Sequence, residues 1–139
     1  MRTIKFRGKD RRTGKWYYGN LYVKDTRGRT HICTPERGCF DIDPETIGQF
    51  TGLYDAHGKE IYEGDILKWK ADNLLYAVIF NWGMFYASVE VCNQETYGGF
   101  PLHALAEENG KDIEIVGNIY DNPELKKEIS ETENTNNNE

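Results

Sequence analysis

Proline is scarce, with 4 in 139 residues, and cysteine scarcer, with 3. An odd cysteine count (Cys33, Cys39, Cys92) leaves at least one thiol without an internal partner. The opening stretch, Met1-Arg-Thr-Ile-Lys-Phe-Arg, has no apolar core of the kind a secretory signal needs. Together these lead to the expectation of reduced thiols in a cytoplasmic protein. Long apolar runs are missing too: the longest, Leu74 to Phe80, is strand-sized and far short of a bilayer span. No membrane contact is therefore expected. No GxxxxGK[ST] and no G-x-S-x-G occurs, and Gly38, Gly98 and Gly99 do not make a dinucleotide fingerprint. His31, Cys33, Cys39 and Cys92 lack the paired short Cys-x2–4-Cys spacing of a zinc knuckle. The reading is no catalytic residue, no metal and no cofactor, hence a non-enzymatic protein.

Aromatics and glycine are plentiful. Nine Tyr, six Phe, three Trp and 14 Gly suit short strands joined by tight turns. The length fits one domain, large enough to fold on its own core. The net charge of −6 hides an asymmetry: residues 1–40 carry 11 Lys/Arg against 3 Asp/Glu, and the remainder 6 against 20. Such a split suits a nucleic-acid surface at the basic end, or two oppositely charged surfaces that attract each other within or between chains.

Alternation of side chains predicts the elements. Ile4 and Phe6 alternate with Lys5, Arg7 and Lys9, the period of a half-buried strand. Asp10 to Gly14 reads as a hairpin loop, and Lys15 to Lys24 as one return strand with Trp16, Tyr18 and Tyr22 on one face. A third strand is expected at Thr30 to Thr34, then irregular chain to Pro44, where Asp43 caps a short helical turn. Further strands are expected over Gln49–Tyr54, Glu60–Lys70, Leu74–Trp82, Met84–Val91 and Ile113–Tyr120, with a helix over Pro101–Glu108 and a loop over Asn93–Gly99. The predicted fold is mainly β: a twisted meander over 1–55, then an SH3-like partial barrel over 56–122. The end of a short helix and a disordered acidic tail occupy 126–139.

Three stretches occur together in this order. They are Met1-Arg-Thr-Ile-Lys-Phe-Arg-Gly-Lys with Gly14-Lys-Trp-Tyr-Tyr-Gly19; Ile47-Gly-Gln-Phe-Thr-Gly-Leu-Tyr-Asp55 through Gly58-Lys-Glu-Ile-Tyr-Glu-Gly-Asp-Ile66; and Val116-Gly-Asn-Ile-Tyr-Asp-Asn-Pro-Glu-Leu125. They resemble the YopX family of phage and prophage proteins over about residues 1–125. The resemblance implies a small, mainly β, phage-encoded protein working inside a bacterial cell, and brings no catalytic residues with it. Within these stretches Phe50 and Leu53 read as core and Gly52 as a bend. Gly64 and Asp65 read as a turn whose carboxylate accepts backbone N–H bonds, and Gly117 as a bulge or close approach.

Among possible chemistries, His57 with Glu60, Glu63 and Asp65 reads as a solvated turn. Tyr97-Gly-Gly-Phe100 with His103 reads as an ordinary connection, the distant third possibility being an enzyme with a lid there. The feature that stands out is the N-terminal hairpin: Lys5, Arg7, Lys9, Arg11, Arg12 and Lys15 beside Trp16, Tyr18 and Tyr22. Cations beside stackable rings suit single-stranded nucleic acid. Rings on a second apolar face equally suit burial against another protein layer. The expected function is a self-associating protein-interaction module, a homo-oligomer that also engages a host or phage protein. Nucleic-acid binding by the hairpin is the alternative.

Overall fold

The computed structural model describes residues 2–89, 98–106 and 110–125. Cys92, most of the 93–99 loop and the 126–139 tail lie outside the described residues. The chain divides into two compact units, 1–52 and 53–139, and is mainly β with antiparallel pairing throughout.

Unit 1 contains β1 (Phe6–Lys9), β2 (Trp16–Gly19), β3 (Leu21–Lys24), β4 (Thr30–Thr34), β5 (Gly38–Ile42), a 3-10 turn (Pro44–Thr46) and the start of β6 (Gly48–Tyr54). One layer has the order β2-β1-β6 and the other β3-β4-β5. Two glycines set how closely these layers approach. A Cβ on Gly8 would lie 2.4 Å from Ile42 Cγ2, and one on Gly19 would lie 2.5 Å from the Cys33 carbonyl oxygen. With hydrogen in those places, Ile32 and Ile42 are fully buried and Tyr17 stacks on Phe40 at 4.0 Å. Asp43 caps the 3-10 turn by accepting from Glu45 N, with Pro44 at the first position, as expected.

Three expectations for this unit need correction. The return strand Lys15–Lys24 is two strands, broken at Gly19-Asn20 where the chain leaves one layer for the other. Residues 38–42, expected to be irregular, form β5: Pro35 and Gly38 bracket a tight turn, in which Thr34 Oγ1 accepts from Arg37 N, and do not interrupt a strand. Cys33 and Cys39 are joined in a disulfide rather than reduced. Their register is the cause: they face each other directly across β4 and β5, with Cα atoms 4.0 Å apart.

Unit 2 takes over β6 at Leu53 and adds β7 (Glu60–Tyr62), β8 (Asp65–Trp69), β9 (Leu75–Asn81), β10 (Met84–Ser88), β11 (Gly99–Pro101), α1 (Leu102–Leu105) and β12 (Ile113–Asn118). Its five-stranded sheet has the order β11-β10-β9-β8-β12, and among the described residues no barrel closes. Ile61, Leu67, Leu102 and Ile113 lie at the centre of its core, each at most 1% exposed and each contributing about 1.5–3 kcal/mol of burial.

The family-like turn residues do what their types suggest. Asp65 is buried and accepts from Tyr62 N at 2.8 Å. Gly64 has φ +91°, and a Cβ there would stand 2.9 Å from the Tyr120 ring. Gly64→Val is expected to cost more than about 1 kcal/mol in urea unfolding, since it adds left-handed strain to a ring clash. An unchanged midpoint would show that the turn relaxes freely. Gly117 sits where the β8–β12 register slips by one residue, beside Asn122. Phe50 is buried, Leu53 packs on the unit 2 core, and Gly52 marks the bend at φ +85°.

The second buried aspartate does more than shape a turn. Asp55, where the second family-like stretch turns, is 2% exposed. Its Oδ1 accepts from His57 N and Lys59 N at 2.9 Å, and its Oδ2 accepts from Ile115 N at 3.1 Å, tying the turn to β12.

Candidate functional site

The N-terminal hairpin keeps its cations and splits its rings. Cross-strand pairs Arg7↔Tyr18 and Lys9↔Trp16 put these four side chains on one face of β1 and β2. Arg7 is only 6% exposed, with its guanidinium 4.7 Å from the centre of the Trp16 ring; the Lys9 amine is 5.7 Å from the same ring. Lys5 lies over Phe50 at 5.8 Å. These cation–π contacts occupy the ring that a base would stack on. Tyr22 is not on this face. It belongs to β3 and packs against Phe6 at 5.6 Å, and Phe6 alternates with Arg7 and so points to the other side of β1. A three-ring platform of Trp16, Tyr18 and Tyr22 is therefore not formed.

The loop cations go elsewhere. Arg11, Arg12 and Lys15 are exposed. Asp10 Oδ1 accepts from Arg12 N and Thr13 N at 2.8 and 2.9 Å, which shapes the β1–β2 loop. The β3–β4 loop is built to the same plan: Asp25 Oδ1 accepts from Arg27 N and Arg29 N at 2.8 and 2.9 Å, and Asp25 Oδ2 meets His31 Nε2 at 2.9 Å. Backbone N–H groups of Thr13 and Arg12 hold the Asp10 carboxyl below its ordinary value near 3.8. His31, then the N–H groups of Arg29 and Arg27, do the same for Asp25. A group with a depressed folded pKa supports the fold above its unfolded value and loses that support as pH falls through the folded one. Both carboxyls are thus expected to titrate below 3.8 in an NMR pH series; midpoints at or above that value would contradict the capping geometry.

The remaining candidates are structural. His57 Nε2 is 3.4 Å from Glu114 Oε1, both largely exposed, as a solvated turn requires. Glu60 accepts from the Tyr62 hydroxyl at 3.1 Å, and Asp65 is bonded to the Tyr62 backbone. The Phe100 ring packs on Trp69 at 5.2 Å and His103 is exposed on α1. Cys33 and Cys39, being bonded to each other, offer no thiolate.

Two features escaped the sequence reading. Arg27 and Arg29 join Arg11 and Arg12 around one cleft, and the signal for them was the excess of cations within residues 1–40. The second feature is the exposed aromatic tip of the β9–β10 hairpin, whose two strands were expected. From Asn73 to Val89 no residue is charged, in a chain with 29% charged residues. At its tip Trp82 is 68% exposed, Phe80 55% and Met84 38%. Phe80 meets Phe85 at 5.2 Å on one face and Trp82 meets Tyr86 at 5.0 Å on the other. The turn is Trp82-Gly83, at φ 53° and 73°. Both central residues are left-handed, a geometry that favours Asn-Gly and penalises a bulky side chain.

The model of the YopX protein family matches residues 5–127. The chain belongs to the YopX family. A solved structure supports the same topology for this YopX chain: the crystal structure of protein EF1440 from Enterococcus faecalis has a TM-score of 0.54 and 21% identity, covering 91% of this chain and 99% of that one. At that identity the likeness concerns the fold alone. No curated protein matches the chain. Among the described residues no helix is long and apolar enough to cross a membrane, and no group of three or more His, Cys, Asp or Glu gathers to hold a metal ion.

Proposed function

We propose that this YopX-family protein is a non-catalytic, self-associating interaction module, encoded by a phage or prophage and acting in the cytoplasm of a bacterial host. One observation carries the reading: a left-handed, mostly exposed tryptophan at the tip of an uncharged aromatic hairpin. Backbone strain of about 1–3 kcal/mol at this exposed position is only partly offset by the Trp82–Tyr86 ring contact, and such strain clusters where binding uses it. Aromatic side chains at this density are what interface centres are made of. A second copy is the favoured occupant. Unit 2 carries 17 Asp/Glu against 6 Lys/Arg, so two copies repel over most of that unit, and the uncharged hairpin lets them meet without pairing like charges. A host or phage protein with an apolar groove is the competing occupant.

Sedimentation at increasing protein concentration tests this. The expected result is a shift from one chain to two that added salt leaves intact or strengthens, because screening relieves the acidic repulsion. A single chain at every concentration overturns the reading.

A further inference from the structure

We infer that the cleft between the β1–β2 and β3–β4 loops binds the phosphate backbone of a nucleic acid, independently of the self-association proposed above. Arg11, Arg12, Arg27, Gly28, Arg29 and Asp41 line a cleft of about 610 Å³, room for more than one phosphate group. Three of its four guanidinium groups stand outside ion-pair distance of any acid among the described residues, Arg12 feeling the Asp10 charge only through space. Arg11 lies 3.7 Å from Asp41, whereas Arg12, Arg27 and Arg29 form no ion pair among the described residues.

The nearby acids do not cancel these cations by contact. Asp10 and Asp25 turn their carboxylates to the backbone N–H groups of the very loops that present the arginines. The same bonds fix the loops, so little order has to be imposed when a ligand arrives. Arginine rather than lysine at all four positions suits planar, two-pronged bonding to phosphate oxygens.

The lining also selects among anions. It holds no aromatic side chain, so no base is stacked there and contact falls on the backbone of the strand. Unit 1 as a whole has 11 Lys/Arg against 6 Asp/Glu, a field that draws a polyanion toward the cleft. A nucleic acid presents phosphates in series and can engage several of these four arginines at once, which a single free phosphate cannot. An acidic protein segment, with one charge per carboxylate and softer geometry, fits arginine forks less well.

Fluorescence anisotropy with a labelled oligonucleotide tests the site on the full chain. Binding is expected at low salt, alike for unrelated sequences, with log affinity falling against log salt at a slope of about −2 to −3, the value for some three phosphates. Arg27→Gln with Arg29→Gln should weaken binding more than about tenfold and flatten the slope by about two, with the melting curve unchanged because both side chains are exposed. Arg12→Gln gives a second measurement on the opposite loop. Pyrophosphate should compete only at far higher concentration, and polyglutamate should not compete. The inference is overturned if no oligonucleotide binds, if the double variant binds as well as the parent, or if pyrophosphate binds and the oligonucleotide does not. Polyglutamate binding as tightly as the oligonucleotide would reassign the cleft to an acidic protein.

Discussion

Trp82→Asn should abolish self-association while leaving the folded chain about as stable as before. Asn-Gly is the preferred pair for a turn with two left-handed residues, so the substitution relieves backbone strain at φ 53°. It also removes the Trp82–Tyr86 ring contact, worth about 0.5–1.5 kcal/mol. The two effects oppose each other, and the net change in unfolding free energy should stay within about 1 kcal/mol. A buried interface tryptophan typically carries about 2 kcal/mol or more, so dimer affinity should fall about thirtyfold or further. Sedimentation and chemical unfolding of the same sample measure both. A variant that assembles as the parent does removes the hairpin from the interface, and one that loses several kcal/mol of stability makes Trp82 a fold residue.

Asp55→Ala should be among the more damaging polar changes in unit 2. It leaves the N–H groups of His57, Lys59 and Ile115 without their acceptor. Unsatisfied donors cost about 1–3 kcal/mol each, and the site is 2% exposed, so water replaces the carboxylate poorly. A loss of about 3 kcal/mol or more is expected, a large part of the 5–15 kcal/mol typical of a domain. Asp55→Asn should fall between, because its oxygen keeps the turn bonds but its NH2 cannot accept from Ile115. Urea unfolding measures both. A cost below about 1 kcal/mol for the alanine variant would show that the turn and β12 hold without this link.

Much of this was legible where one rule acted alone. The alternation in Met84 to Ser88, the Asp43-Pro44 cap and the Gly64-Asp65 turn are local signals, and each appears where the residues indicate. The reading failed where a distant contact decided. The strand expected over Lys15–Lys24 breaks because Gly19 must pass against the Cys33 carbonyl, a neighbour 14 residues away. The platform of Trp16, Tyr18 and Tyr22 was lost with that break. The cations expected beside the rings do lie there for Arg7 and Lys9, which pairing in register sets against Tyr18 and Trp16. The arginine cleft needs two loops brought together in space, which no spacing along one segment reveals. The uncharged stretch around Trp82 was visible throughout, yet it reads only as two strands until the tip is seen to stand in solvent.

The order in which strands pair has a bearing on synthesis. In unit 1, β1 waits for β6, about forty residues later, and Phe6 finds Gln49. In unit 2, β8 has β9 at hand through a short turn, but its other edge stays open until β12, where Asn118 pairs with Asp65. A chain emerging from the ribosome can therefore complete the β2-β1-β6 ladder of its first unit as soon as β6 has been made. The second unit leaves one edge of β8 unpaired until β12 has been made. Closing contacts this far apart in sequence are slow to form, because loop closure precedes any gain. Refolding of the whole chain should accordingly be limited by the arrival of β12, and a nascent chain halted before residue 113 should be the form most prone to aggregate.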